Sequence, residues 1–192
     1  MTHKNLDFLN SITHISEDIF NKLIEVSEFK RVPEGTKLVK QNEVPSKVYF
    51  LVSGEIRCYL ITEDGKEFNK SFYLPMSFVA SLTALIRKMK SLFIFETISD
   101  CKLYEIDYSR LIELCDKYTQ LKHLYTKILE TVYTKYEKRL VELISLDAKG
   151  RYLALIREIP NVEKIIPQYH IASFLGITPV QLSRIKKKIE VN

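Results

Sequence analysis

The spacing of apolar positions changes twice along the chain. Between residues 5 and 28 it is helical. Leu6, Leu9 and Ile12 recur at three-residue steps, and Ile19, Phe20, Leu23 and Ile24 form a second stripe. Ser16 stands where a helix cap is expected, with Glu17 and Asp18 in the first turn, where the helix dipole favours negative charge. From Phe29 to Asp107 the period drops to two. The runs FKRV, TKLVK, KVYFLVSG, EIRCYLIT and EFNKSFYL alternate with turn signals such as PEG, QNEVPS and EDGK. Strands this short and regular predict an antiparallel sandwich or barrel. Asp64-Gly65 marks a hairpin, and Gly54, between Val48 and Ile61, marks a bend or a close backbone approach. The pattern breaks at Ser77–Lys90, which reads as a short helix with Val79, Leu82, Leu85 and Ile86 on one side. Strands then resume in LFIFETIS and CKLYEID.

Beyond Asp107 the period is helical again. A short helix is expected over Tyr108–Cys115 and a long one over Thr119–Leu146, where Leu121, Leu124, Ile128, Val132, Tyr136, Leu140 and Leu143 form one stripe. Such a stripe either packs on the β-segment or pairs with the same helix of a second subunit; pairing is the favoured reading. Asp147-Ala148-Lys149-Gly150 reads as a hinge and Arg151–Ile159 as another helix, ended by Pro160-Asn161. VEKII then leads on as a short extended piece.

The last stretch, Pro167–Ile189, carries the most specific chemistry. It reads as two short helices with a tight turn. Gly176 suits a left-handed helix end, Thr178 can cap the next helix, and Pro179 fits its first position. Ile171, Ala172, Leu175 and Ile177 point inward, as do Leu182, Ile185 and Ile189. The opposite face carries Gln181, Arg184 and Lys188, with Val180, Ser183 and Lys187 beside it. A helix with an apolar back and such a front can enter the DNA major groove. Arg reads guanine edges, Gln can read adenine, and Lys neutralises phosphate. A plain helical hairpin with a solvated basic face would show lysines alone, without the ordered set from Ala172 to Arg184.

Charge follows this division. Of 192 residues, those numbered 1–115 carry 15 Lys/Arg against 16 Asp/Glu, a net of −1; residues 116–192 carry 14 against 8, a net of +6. The positive excess travels with the helix-turn-helix. Cys58, Cys101 and Cys115 are odd in number and widely spaced, which predicts buried thiols in a reducing cytoplasm rather than disulfides or a metal cluster. The charged N-terminus predicts neither a signal peptide nor a membrane span.

In order, then, come helix, β-roll, long helix and basic helix-turn-helix. Here ASFLGITPVQLSRI (Ala172–Ile185) closely resembles the recognition segment of the Crp/Fnr superfamily of bacterial transcription regulators. VYFLVSGEIRCY (Val48–Tyr59) resembles the strand pair of cyclic-nucleotide-binding rolls, and the short length resembles members of Bacteroidetes type. The resemblance implies an α+β fold with three parts. These are an antiparallel jelly-roll effector domain at 1–116, a dimerisation helix at 117–147 and a winged helix-turn-helix at 148–192. It further implies a cytoplasmic homodimer on palindromic promoter DNA, in contact with RNA polymerase, and no enzymatic activity. Thr178, Val180, Gln181, Ser183, Arg184, Lys187 and Lys188 become the expected DNA-binding residues. Val180 departs from the acidic residue often found there, so the usual half-site is not expected.

The roll departs further. Members that bind cyclic AMP carry Gly-Glu and Arg-Ser/Thr pairs around the inserted helix. Here Met76-Ser77-Phe78 replaces the first, and Lys90-Ser91 is the best match to the second. Lys holds phosphate as a point charge, not as a planar fork. No cyclic nucleotide is therefore expected as cofactor. Either side chains fill the old pocket, or it takes an apolar or aromatic effector among Phe72, Ser77, Phe78, Ser81, Lys90 and Ser91. An iron–sulfur sensor lacks its clustered cysteines, and none of His3, His14, His123 and His170 stands out as a haem ligand. Few residues follow the recognition helix, so the wing is expected to be absent or minimal, with VEKII as its one candidate strand.

Two rival functions remain. One is a small-molecule-binding module whose helix-turn-helix serves protein interaction. The other is a cupin-like metalloenzyme, disfavoured because Phe29–Asp107 contains no histidine.

Overall fold

The computed structural model describes residues 3–190. Two helices, α1 (His3–Ile12) and α2 (Glu17–Glu25), precede the strands β1 (Ser27–Val32), β2 (Lys37–Val39), β3 (Lys47–Ser53), β4 (Ile56–Ile61), β5 (Glu67–Tyr73) and β6 (Ser77–Val79). A one-and-a-half-turn helix, α3 (Leu82–Arg87), separates these from β7 (Ile94–Thr97) and β8 (Cys101–Asp107). The helices α4 (Tyr108–Lys117), α5 (Thr119–Ser145), α6 (Ala148–Glu158), α7 (Val162–Ile165), α8 (Gln168–Leu175) and α9 (Pro179–Glu190) complete the chain.

The strands pair antiparallel in two sheets, ordered β1-β8-β3-β6 and β2-β7-β4-β5. This is the antiparallel sandwich that the alternation predicts and the jelly-roll α+β architecture that the resemblance implies. Between the sheets lies a core of Val39, Tyr49, Leu51, Ile56, Cys58, Phe95 and Leu103, all buried. Burying each large apolar side chain contributes roughly 1.5–3 kcal/mol. β3 is apolar at successive positions, not only at alternate ones, because both of its faces are covered. Tyr49 and Leu51 face the roll interior. On the other side Phe50 stacks on Phe8 of α1 at 5.8 Å and on Phe78 at 5.0 Å. That outer layer joins α1, α2, α4 and the start of α5 in a second core, with Leu121 and Leu124 buried.

Gly54 makes the tight passage between β3 and β4. Its φ is +86°, and a Cβ there would lie 2.6 Å from both the Asp100 carbonyl oxygen and Cys101 Sγ. The close backbone approach expected at this glycine is therefore what the fold uses. All three cysteines are buried and unbonded to one another.

Three local expectations need correction. Ser77–Val79 is not the start of a helix but the edge strand β6, paired with Tyr49, Phe50 and Leu51. The helix begins only at Leu82, because the open edge of β3 supplies hydrogen bonds that local propensity does not register. Of the expected hinge Asp147–Gly150, residues 148–150 already belong to α6: Asp147 Oδ1 accepts from the Gly150 amide at 2.7 Å and caps that helix, leaving Leu146 and Asp147 as the break. VEKII is not a wing strand. Its first four residues form α7, and the Ile166 amide donates to the Val162 carbonyl at 2.8 Å. Ser16 does precede α2, but its side chain makes no capping bond; its carbonyl accepts from the Phe20 amide instead.

The stripe along α5 divides in two. Its N-terminal half packs under the roll. Its C-terminal half stands open in the single chain, where Leu140 is 57 %, Leu143 49 % and Ile144 77 % exposed.

Candidate nucleic-acid interface

The turn between α8 and α9 is built by local chemistry. Gly176 adopts φ +69° and closes α8, its amide donating to the Ser173 carbonyl at 3.1 Å and that of Ile177 to Ala172 at 3.0 Å. Thr178 then caps α9: its Oγ1 accepts from the Gln181 amide at 3.2 Å. Reciprocally, Gln181 Oε1 accepts from the Thr178 amide at 2.8 Å, a capping box. Gln181, expected only as a base reader, thus has its oxygen committed to the helix start. Its amide nitrogen is the group left to face a ligand.

Ala172, Leu175 and Leu182 are fully buried between the two helices. The opposite side of α9 exposes Val180, Gln181, Ser183, Arg184, Lys187 and Lys188, with Thr178 at its start. Those seven expected DNA-contacting residues therefore lie on one exposed surface. Lys186 does not join them. Its Nζ pairs with Glu163 Oε1 at 2.7 Å, and Glu163 also accepts from the Tyr152 hydroxyl at 2.6 Å, tying α9 to α7 and α6.

The first helix of the motif is docked on the roll. Ser173 Oγ accepts from the Asn69 amide at 3.0 Å and donates to the Glu67 carbonyl at 2.9 Å, while Phe174 packs on Phe72 at 5.3 Å. The carbonyls of Phe174 and Leu175, at the end of α8, accept from Arg139 at 2.6 Å and Arg151 at 3.2 Å. Arginines at a helix C-terminus satisfy its orphan carbonyls and complement its dipole.

At the centre of this contact lies an ion cluster that periodicity does not disclose. Arg57 on β4 is buried. Its Nε and Nη2 donate to Glu96 Oε2 at 2.8 and 2.5 Å, and its Nη1 to Glu67 Oε2 at 2.5 Å. Nη1 also donates to His170 Nδ1 on α8 at 3.1 Å, with the side-chain Nδ2 of Asn69 3.3 Å from the same atom. Because Nδ1 faces a guanidinium, it must be the unprotonated nitrogen. Burial, with the Arg57 charge beside it, pulls the His170 pKa down to about 4; Glu67 opposes this. The two carboxylates hold the Arg57 pKa up against the opposing effect of burial. Sequence reading passed over His170 because its partner, Arg57, lies 113 residues away.

The sensor side holds a cavity of about 470 Å³ between the roll and α5. Of the expected effector residues, Phe72, Phe78, Ser81 and Lys90 line it; Ser77 and Ser91 do not. Ser77 is taken up in the β6–β3 pairing. Ser91 Oγ is fully engaged, donating to the Phe93 carbonyl at 2.7 Å, accepting from its amide at 3.1 Å and bonded to Ser81 Oγ at 2.8 Å. Met76 sits at φ +65°, a conformation that favours glycine. Lys70, Ser71 and Tyr136 also line the cavity and were not anticipated.

An eight-stranded roll, a long helix beneath it and a helix-turn-helix define the class: a jelly roll joined through a long helix to a helix-turn-helix motif. Residues 29–118 match the cyclic nucleotide-binding domain family. The chain is similar to the CRP-like protein Clp of Xanthomonas oryzae pv. oryzae, at 21 % identity over 183 residues, 86 % of this chain and 79 % of that protein. Two solved structures share the fold. One is the c-di-GMP responsive global regulator CLP of Xanthomonas campestris (TM-score 0.66, 20 % identity, 92 % of each chain). The other, from Eubacterium rectale, is ascribed to the crp/fnr family (TM-score 0.71, 15 % identity, 92 % of this chain and 84 % of that one). Residues 29–118 thus carry a cyclic nucleotide-binding domain, and the chain as a whole is similar to regulators of the Crp/Fnr type. Among the described residues, no helix is long and apolar enough to cross a membrane.

Proposed function

We propose that the chain is a dimeric, sequence-specific transcription regulator that reads promoter DNA with α9. The observation that carries this reading is the exposed row Val180, Gln181, Ser183, Arg184, Lys187 and Lys188 on a helix whose back, Leu182, is fully buried. Arg184 is assigned to a base edge, and Lys187 and Lys188 to phosphates. The bare C-terminal half of α5 supports pairing with a second copy, which would place two α9 helices on a palindrome. On this reading residues 1–116 sense, 117–147 pair and 148–192 bind DNA.

The roll does not hold a cyclic nucleotide on this proposal. No carboxylate lines the cavity to accept from a ribose hydroxyl, and Ser91 has no hydroxyl capacity left for a phosphate.

Selection of sites from a random duplex pool with the full chain tests the function. Enrichment of a palindrome is expected, and Arg184→Ala should weaken that site by about tenfold or more and relax one base position. An Arg184→Ala protein that binds the selected site as the parent does would refute the assignment. Enrichment of no sequence, with or without cell extract, would favour a helix-turn-helix used for protein interaction.

A further inference from the structure

The cavity beside α5 has a chemical signature of its own. Its walls are apolar, with Phe50, Phe78, Phe93, Leu124, Ile128 and Val132 among them. Its charged lining consists of three lysines, Lys70, Lys90 and Lys135, and no acidic residue. Lys135 is neutralised by Glu158 at 3.1 Å. Lys90 is exposed. Lys70 is the unusual one. It occupies a β-bulge, since Cys58 pairs with Ser71 and Tyr59 with Asn69, leaving Lys70 as the extra residue. Bulges re-aim side chains. Here the ammonium lies 4.2 Å over the Phe93 ring and 4.8 Å over that of Tyr136 on α5. Among the described residues no carboxylate stands within salt-bridge distance of it. The neighbouring Ser71 lines the same wall, its buried hydroxyl set beside Cys58 and Tyr73.

We propose that this cavity binds an apolar organic anion: a hydrocarbon or aromatic body bearing one carboxylate, whose head pairs with Lys70. The proposal rests on reading the roll as a sensor and names what it senses. A cation would meet three lysines and no counter-charge. A neutral hydrocarbon would fill the walls but leave the Lys70 ammonium on ring faces alone. A carboxylate there forms charge-assisted hydrogen bonds in a site shielded by Phe93 and Tyr136. The volume falls within the range of small-molecule sites, about 300–1,000 Å³. The same strand carries the signal outward. Lys70 adjoins Asn69, whose amide holds Ser173 of α8, and lies two residues from Phe72, which packs on Phe174.

The test uses the full chain and three ten-carbon probes of one shape: decanoate, decanol and decyltrimethylammonium, followed by calorimetry and thermal melting. Decanoate should bind saturably, one per chain, and raise the melting temperature. Decanol should bind about tenfold more weakly or worse, and the cation not at all. Lys70→Met, checked for unchanged circular dichroism, should lose the preference for decanoate over decanol while keeping decanol binding; Lys70→Arg should keep the preference. Equal binding of decanoate and decanol by the parent chain would overturn the proposal, as would an unaltered preference in Lys70→Met. Failure of both decanoate and the aromatic acid 4-phenylbutyrate to bind would overturn it too, and if sedimentation then shows a dimer, a second copy is the occupant. These readouts involve no DNA, so failure of the DNA-reading proposal leaves them standing, and the reverse holds.

Discussion

Replacing His170 by Gln isolates the electrostatics of the contact between α8 and the roll. Gln keeps an acceptor for Arg57 but cannot titrate. In the native chain His170 is buried and 3.1 Å from a guanidinium, and its pKa falls from 6.5 to about 4. Once α8 leaves the roll or the chain unfolds, the ring regains an ordinary pKa of about 6.5. The direction follows from which state takes up the proton. Above pH 6.5 neither does, and the full stability is present. As pH falls from 6.5 toward 4, only the opened state binds it, so stability drains at up to about 1.4 kcal/mol per pH unit. The loss is about 2 kcal/mol at pH 5 and about 3 kcal/mol at pH 4. The other groups of the cluster are common to both proteins. The assay is therefore the difference between the two chains in urea unfolding at pH 7.5 and pH 5. The parent should lose about 2 kcal/mol more than His170→Gln over that interval. A parallel measurement follows the His170 ring resonance by NMR, with a midpoint expected near 4. Parallel stability profiles, or a ring that titrates near 6.5, would refute the reasoning and show that solvent reaches the cluster.

Two further outcomes are expected. Gly54→Ala should destabilise by about 2–4 kcal/mol, combining a strained φ of +86° with a methyl 2.6 Å from the Asp100 carbonyl, read as a lowered melting temperature; an unchanged melt would mean the turn relaxes freely. Ile144→Glu removes little intrachain burial, since Ile144 is 77 % exposed, so the monomer fold should be unaffected while sedimentation shifts from dimer to monomer; an unaltered dimer would place the interface elsewhere.

Much of this molecule was legible as sequence because the chemistry involved is local. The period-two runs named the strands of the roll, and the three- and four-residue steps named α5. Gly176, Thr178 and Pro179 marked the turn before α9, each through its own backbone preference. Gly54 announced a close approach because only a missing Cβ tolerates one. The exposed face of α9 could be drawn from spacing alone, since an apolar back at Leu182 fixes where Arg184 and Lys187 must lie.

What depended on distant partners could be read only from the tertiary structure. Ser77–Val79 has an apolar spacing compatible with a helix, and becomes a strand because β3 offers an unpaired edge. VEKI looks extended by composition, yet closes a helical turn because Val162 is fully buried against the helix-turn-helix core and Glu163 is held by Tyr152 and Lys186. His170 acquires its low pKa only when folding brings Arg57 across 113 residues, and a buried charge acts over ångströms of space, not over positions of sequence. Lys70 carries no signal of its own in the sequence; a bulge, itself a product of pairing β5 with β4, brings it between Phe93 and Tyr136. Periodicity determines which face of an element is apolar; the packing of elements far apart in the chain decides which polar groups meet within those faces.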